Sequence, residues 1–118
     1  MIVELEIYSG RVNPSWPLTR EEMGELQFRL AGLPERRATS LRDEPLGYRG
    51  LRVVDAPAEG MSLTVSAGTI EFSGPGGLLR QFDDAGRRLE CWLVTTAAGR
   101  LDESLRQIAL ADIGSSCP

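Results

Sequence analysis

The ten residues Ser9-Gly10-Arg11-Val12-Asn13-Pro14-Ser15-Trp16-Pro17-Leu18 stand between two segments whose local chemistry leaves little choice of structure. Before them, Val3, Leu5 and Ile7 alternate with Glu4, Glu6 and Tyr8, the period-two pattern of a half-buried strand. After them, Thr19 and Glu22 have the spacing of a capping box, and Leu18 is placed to staple onto Met23. Glu21 and Glu22 suit the positive end of a helix dipole. A helix is expected from Thr19 to Leu30 or Ala31, with Met23, Leu26 and Leu30 on one face, ending at Gly32 before Pro34. The chain must therefore pass from strand to helix within this stretch, and Ser9-Gly10 and Asn13-Pro14 supply the turns.

The remainder reads as scaffold. Glu35 to Gly47 is arginine-rich, carries Pro45 and lacks periodicity, so a solvent-exposed loop is expected. Tyr48 to Asp55 and Met61 to Ser66 pattern as strands separated by a turn at Ala56-Pro57-Ala58-Glu59-Gly60. Ala67-Gly68 suits a tight hairpin into a strand around Thr69 to Phe72. Ser73-Gly74-Pro75-Gly76-Gly77 matches no nucleotide fingerprint, and a hairpin connection into a short edge strand at Leu78 to Phe82 is expected rather than a phosphate cradle. Asp83 or Asp84 is placed to cap a helix carrying Leu89, Trp92, Leu93 and Ala97; the β-favouring residues of Cys91 to Thr96 compete for a strand, and the flanking caps favour the helix. Asp102 caps a last helix with Leu105, Ile108 and Ala109. The expected fold is α+β: an N-terminal strand, a helix, an antiparallel β-meander of three or four strands, and one or two C-terminal helices packed on one sheet face. One domain over residues 1–113 is expected, with 114–118 as a flexible C-terminal tail.

Composition narrows the chemistry. The chain of 118 residues has no histidine and no lysine, and all 13 basic residues are arginine. Histidine bases and ligands, lysine Schiff bases and the phosphate-loop lysine are thereby excluded. No catalytic residue, metal site or cofactor is expected. A net charge of −4 argues against a nucleic-acid partner, which is gripped through clustered cations. No apolar run approaches the roughly 20 residues of a membrane span, and Met1-Ile2-Val3-Glu4 lacks the features of a signal peptide, so no membrane partnership and a cytoplasmic location are expected. Cys91 and Cys117 are accordingly expected as two unrelated reduced thiols.

Three side chains of the organising stretch are the candidate binding group. An arginine fork grips a carboxylate or phosphate, an asparagine amide donates and accepts at once, and an indole offers a flat face with one donor. Arg11, Asn13 and Trp16 are expected in one cleft, with Tyr8, Tyr48 and Arg49 nearby. The competing assignment has Trp16 plugging the space between helix and sheet and Asn13 bonding its own turn. Glu4 and Glu6, about 7 Å apart on one strand face, have the separation of a hydrolase pair, but exposed edge-strand glutamates ordinarily serve solubility.

Glu4-Leu5-Glu6-Ile7 followed by Ser9-Gly10-Arg11, Asn13-Pro14, Trp16 and Leu18 resembles the N-terminal signature of a family of small bacterial and fungal proteins without an assigned activity. The similarity continues through Leu46-Gly47-Tyr48-Arg49-Gly50 and through Arg88-Leu89-Glu90 with Trp92-Leu93. It implies one complete domain and carries over no catalytic residues. The leading expectation is a non-catalytic binding or accessory module that contacts a protein partner or small anionic ligand through Ser9–Trp16. A small cofactor-free enzyme with a carboxylate or tyrosine base and Arg11 as anion clamp is the alternative. A leader-like domain presenting Cys117 for modification is the third; oligomeric state is left open.

Overall fold

The computed structural model describes residues 1–36, 47–114 and 117. Among the described residues, seven strands form one antiparallel sheet in the order β2-β1-β4-β5-β6-β7-β3. They are β1 (Ile2–Leu5), β2 (Ser15–Pro17), β3 (Glu35–Arg36), β4 (Leu51–Val54), β5 (Ser62–Ser66), β6 (Thr69–Gly74) and β7 (Leu78–Asp83). Three α-helices accompany them: α1 (Arg20–Leu30), α2 (Arg88–Thr95) and α3 (Glu103–Ile113). The α+β expectation holds, including the four-stranded meander β4 to β7 and both C-terminal helices.

The local signals act as their chemistry dictates. Thr19 Oγ1 accepts from the Glu22 amide at 3.1 Å while Glu22 Oε1 accepts from the Thr19 amide at 2.9 Å, completing the capping box. Ala67 and Gly68 take φ of 48° and 88°, the paired left-handed values that match the twist of a two-residue hairpin between β5 and β6. Cys91 to Thr95 is helical, as the caps favoured. The Asp84 carboxylate accepts from the amides of Leu89 and Glu90 at 2.9 and 3.1 Å, across a short 3-10 turn at Ala85–Arg87. Asp102 Oδ1 accepts from the Ser104 amide at 2.9 Å and so starts α3.

Alternation along the strands builds the core. Val3, Leu5, Leu51, Val53, Leu63, Val65, Ile70 and Phe82 are buried on one sheet face with Leu26 of α1, Leu89, Leu93 and Val94 of α2, and Ala109 and Ile113 of α3. Burial of the larger of these side chains, each Val, Leu, Ile or Phe stabilising by about 1.5–3 kcal/mol, holds the helices to the sheet.

Three expectations are corrected. Ser15–Pro17 is a strand rather than connecting loop, because Trp16 pairs with Val3 and so drops its indole onto the buried face. Pro17 is tolerated there because β2 is an edge, where its missing N–H removes no ladder bond; its carbonyl accepts from Arg100 Nη1 at 3.2 Å. Glu35–Arg36 pairs with β7, so β7 is not the sheet edge; residues 37–46 of the expected loop lie outside the described residues. Cys91 and Cys117 form a disulfide instead of two separate thiols. The cause is tertiary: α3 packs beside α2 with Asp112 against Arg87, α3 ends at its C-cap Gly114 with φ 71°, and beyond it Cys117 meets Cys91.

Gly50 fixes how closely β4 enters against β5. It sits at φ 111°, and a Cβ there would lie 2.4 Å from the Val65 carbonyl oxygen and 2.5 Å from Ser66 Cβ. Gly50→Ala is expected to destabilise the protein by about 2–4 kcal/mol, combining backbone strain with a clash against backbone that cannot yield. Urea unfolding checks this, and wild-type stability in the variant would disprove the close approach.

Candidate functional site

Asn13 closes the turn that leads from β1 into β2. Its Oδ1 accepts from the amides of Ile7 and Tyr8 at 3.0 and 2.8 Å, and its Nδ2 donates to Glu6 Oε2 at 3.0 Å. The amide is spent on the loop itself, which is the behaviour that suits asparagine to such turns. Arg49, on the segment entering β4, donates from Nη2 to the Tyr8 carbonyl at 2.6 Å and lies 3.9 Å from Glu6. The Tyr8 backbone is thus held from two sides. Over its ring, at 3.8 Å from the centroid, lies the Arg11 guanidinium, and the neighbouring Val12 is 92% exposed.

The six expected binding residues therefore divide. Tyr8, Arg11, Asn13 and Arg49 gather at one end of the sheet. Trp16 does not join them: it is 2% exposed, and its Nε1 donates at 2.8 Å to Oγ1 of Thr96, which itself donates to the Leu93 carbonyl. The packing assignment is the one the structure adopts for this indole. Tyr48 is also in the core, its hydroxyl donating to Glu90 Oε2 at 2.5 Å.

Glu90 is the polar centre that pattern reading overlooked. It is 0% exposed, yet both carboxylate oxygens are fully engaged. Oε2 accepts from the Tyr48 hydroxyl and from Arg87 Nη2, the latter at 2.8 Å; Oε1 accepts from Arg87 Nε at 2.9 Å and from the Ala67 amide at 3.1 Å. Arg87 extends the network to the Asp112 carboxylate and carbonyl, each at 3.0 Å. Burial pushes the Tyr48 phenol up, reinforced by the charge of Glu90, and the hydrogen bond to Glu90 keeps Arg87 more firmly protonated. Burial likewise raises Asp84, against the lowering effect of the two amides it accepts from. A carboxylate offers about four lone-pair positions, and here four donors fill them, so Glu90 has no site left for a substrate proton. Its position was legible in one respect: it precedes Val94 by four residues and Ala97 by seven, on the apolar stripe of α2.

The remaining features are separate from this group. A shallow depression of about 310 Å³ lies on the helix-free sheet face between Arg52, Asp55, Ser62 and Ser73, and holds none of the expected residues. Cys117, the expected modification site, is bonded to Cys91. Among the described residues, no group of three or more acidic, cysteine or histidine side chains is arranged to hold a metal ion, and no helix is long and apolar enough to cross a membrane. No protein-family model matches this chain, no curated protein matches it, and no solved structure matches it.

Proposed function

We propose that this chain is a non-catalytic binding module that contacts a protein partner through the end of the β1–β2 hairpin, with Arg11 as anchor and Tyr8, Val12 and Arg49 around it. The observation that carries the reading is the Arg11 guanidinium stacked 3.8 Å over the Tyr8 ring. An arginine resting on an aromatic face keeps its N–H edges open for a carboxylate and has less side-chain freedom to lose on binding. No carboxylate among the described residues pairs with Arg11. The exposed Val12 beside it adds an apolar contact to a charge-assisted one. The complementary partner surface carries an acidic side chain next to an aliphatic one.

In this reading Asn13 orders the loop and touches no partner. A cytoplasmic location belongs to the proposal only with an exchangeable Cys91–Cys117 bond, because disulfides in that compartment are usually transient. The test is a titration of 15N-labelled protein with an acetylated peptide of alternating glutamate and leucine, run beside sodium acetate. Shifts are expected at Tyr8, Arg11, Val12 and Arg49. Arg11→Ala should weaken the peptide by roughly tenfold while changing stability by less than about 0.5 kcal/mol. Equal response to acetate would make the ligand a small anion. Shifts centred elsewhere, or an unchanged affinity in Arg11→Ala, would remove the reading.

A further inference from the structure

We propose that Cys117 is a site of S-thiolation: a low-molecular-weight thiol exchanges into the Cys91–Cys117 disulfide at the Cys117 sulfur and leaves Cys91 as a buried thiol. The inference is independent of the Arg11 surface. It rests on the unequal settings of the two cysteines and on what remains when their bond is gone.

Cys91 is 8% exposed, inside α2 and within the core cluster, with buried Leu89, Glu90, Leu93 and Val94 around it on the same helix. Cys117 is only partly buried, beyond the end of α3, where its amide donates to the Gly114 carbonyl at 3.1 Å. Exchange requires a thiolate to reach one of the two sulfurs, and both access and leaving-group acidity govern which. Acidity favours expelling the more exposed Cys117, since an apolar setting makes Cys91 the poorer leaving group. Access favours attack on Cys117, because a sulfur enclosed by a helix and core offers no open line to a thiolate. Access decides here, since Cys91 is 8% exposed within a core helix while Cys117 is only partly buried.

The step balances without an external oxidant or reductant. The incoming thiolate forms a bond to Cys117 Sγ as the Cys91–Cys117 bond breaks. The electron pair leaves on Cys91 Sγ, which takes a proton from water. One disulfide replaces another. The fold survives the exchange because α3 keeps its other holds: Arg87 Nη1 to the Asp112 carbonyl, Arg87 Nη2 to the Asp112 carboxylate, and the buried Ala109 and Ile113. Cys117 is released from Cys91 and carries the added group.

Glutathione is the probe. The oxidised full-length protein is incubated with it, quenched in acid and cut with trypsin, which places Cys91 in the 89–100 peptide and Cys117 in the 107–118 peptide. At least about tenfold more glutathione adduct is expected on the 107–118 peptide, with the far-ultraviolet spectrum unchanged. Cys91→Ser and Cys117→Ser then separate the two thiols, each treated with glutathione disulfide. The remaining Cys117 is expected to react at least about tenfold faster than the remaining Cys91. Adduct mainly on the 89–100 peptide would overturn the proposal. So would equal reactivity of the two variants, exchange only after unfolding, or alkylation of both cysteines in protein never exposed to a thiol.

Discussion

Replacing Trp16 by alanine is expected to lower the unfolding free energy by about 3–5 kcal/mol, the range for deleting a large aromatic side chain from a packed interior. For a domain of this size the midpoint of thermal unfolding should fall by roughly 10–20 °C. The size follows from position. Trp16 pairs with Val3 at the sheet edge and is 2% exposed, so its loss opens a cavity in the core next to α2 rather than on the surface. Trp16→Phe separates the ring from its donor. It keeps much of the apolar volume but loses the bond from Nε1 to Thr96 Oγ1, and should cost about 1–2 kcal/mol. Thr96 retains its bond to the Leu93 carbonyl in that variant, so no donor is orphaned on its side. Circular dichroism under urea is the suitable measurement, because the substitution removes one of the two indoles and changes fluorescence directly. A loss below about 1 kcal/mol in Trp16→Ala would show the indole dispensable to the core and return it to the binding loop.

The same residue marks where reading the chain succeeds and where it stops. Thr19 with Glu22, Ala67 with Gly68, and Asp102 each settle their own neighbourhood, since the groups that satisfy one another lie within four residues. Helix starts and hairpins were legible for that reason, and with them the α+β class. Trp16 is decided by a partner 13 positions away: the pairing with Val3 determines which face receives the indole, and two flanking prolines conceal the strand. Arg11 and Asn13 were recognisable as a cation and a turn amide. Their spending was not: Asn13 is consumed by the amides of Ile7 and Tyr8, and Arg11 rests on Tyr8. The disulfide was hidden by the same limit, since its sulfurs meet across a separation of 26 residues only after α3 folds back on α2. Glu90 was hidden by its charge, which reads as surface until the donors from Tyr48, Arg87 and Ala67 are brought to it.

Those donors make Glu90 the second site of large effect. Glu90→Ala leaves the Tyr48 hydroxyl and the Ala67 amide without an acceptor and removes two of the oxygen contacts of Arg87. Breaking a buried ion pair from one side ordinarily costs about 3–5 kcal/mol. Here the Arg87 side chain keeps 21% exposure and its bond to Asp112, so part of its charge is relieved by water and about 2–4 kcal/mol is expected. Glu90→Gln should be nearly as costly, because its Nε2 would confront donors at one of two positions that both require an acceptor. Replacing Glu90, Arg87 and Tyr48 together by leucine, leucine and phenylalanine tests the cause. If the penalty comes from orphaned partners, the triple variant recovers the share due to Arg87 and Tyr48, with only the Ala67 amide left unpaired; if Glu90 shapes the core by itself, nothing is recovered. A pH series supplies an independent sign. Burial and the charge of Glu90 raise the Tyr48 phenol above its unfolded value, so its contribution is complete below about pH 10 and is lost as pH rises, when the unfolded chain alone releases the proton. Wild-type stability should therefore decline on the alkaline side more steeply than that of Tyr48→Phe. Parallel alkaline limbs would mean that the phenol reaches water, and that the Glu90 network is open rather than sealed.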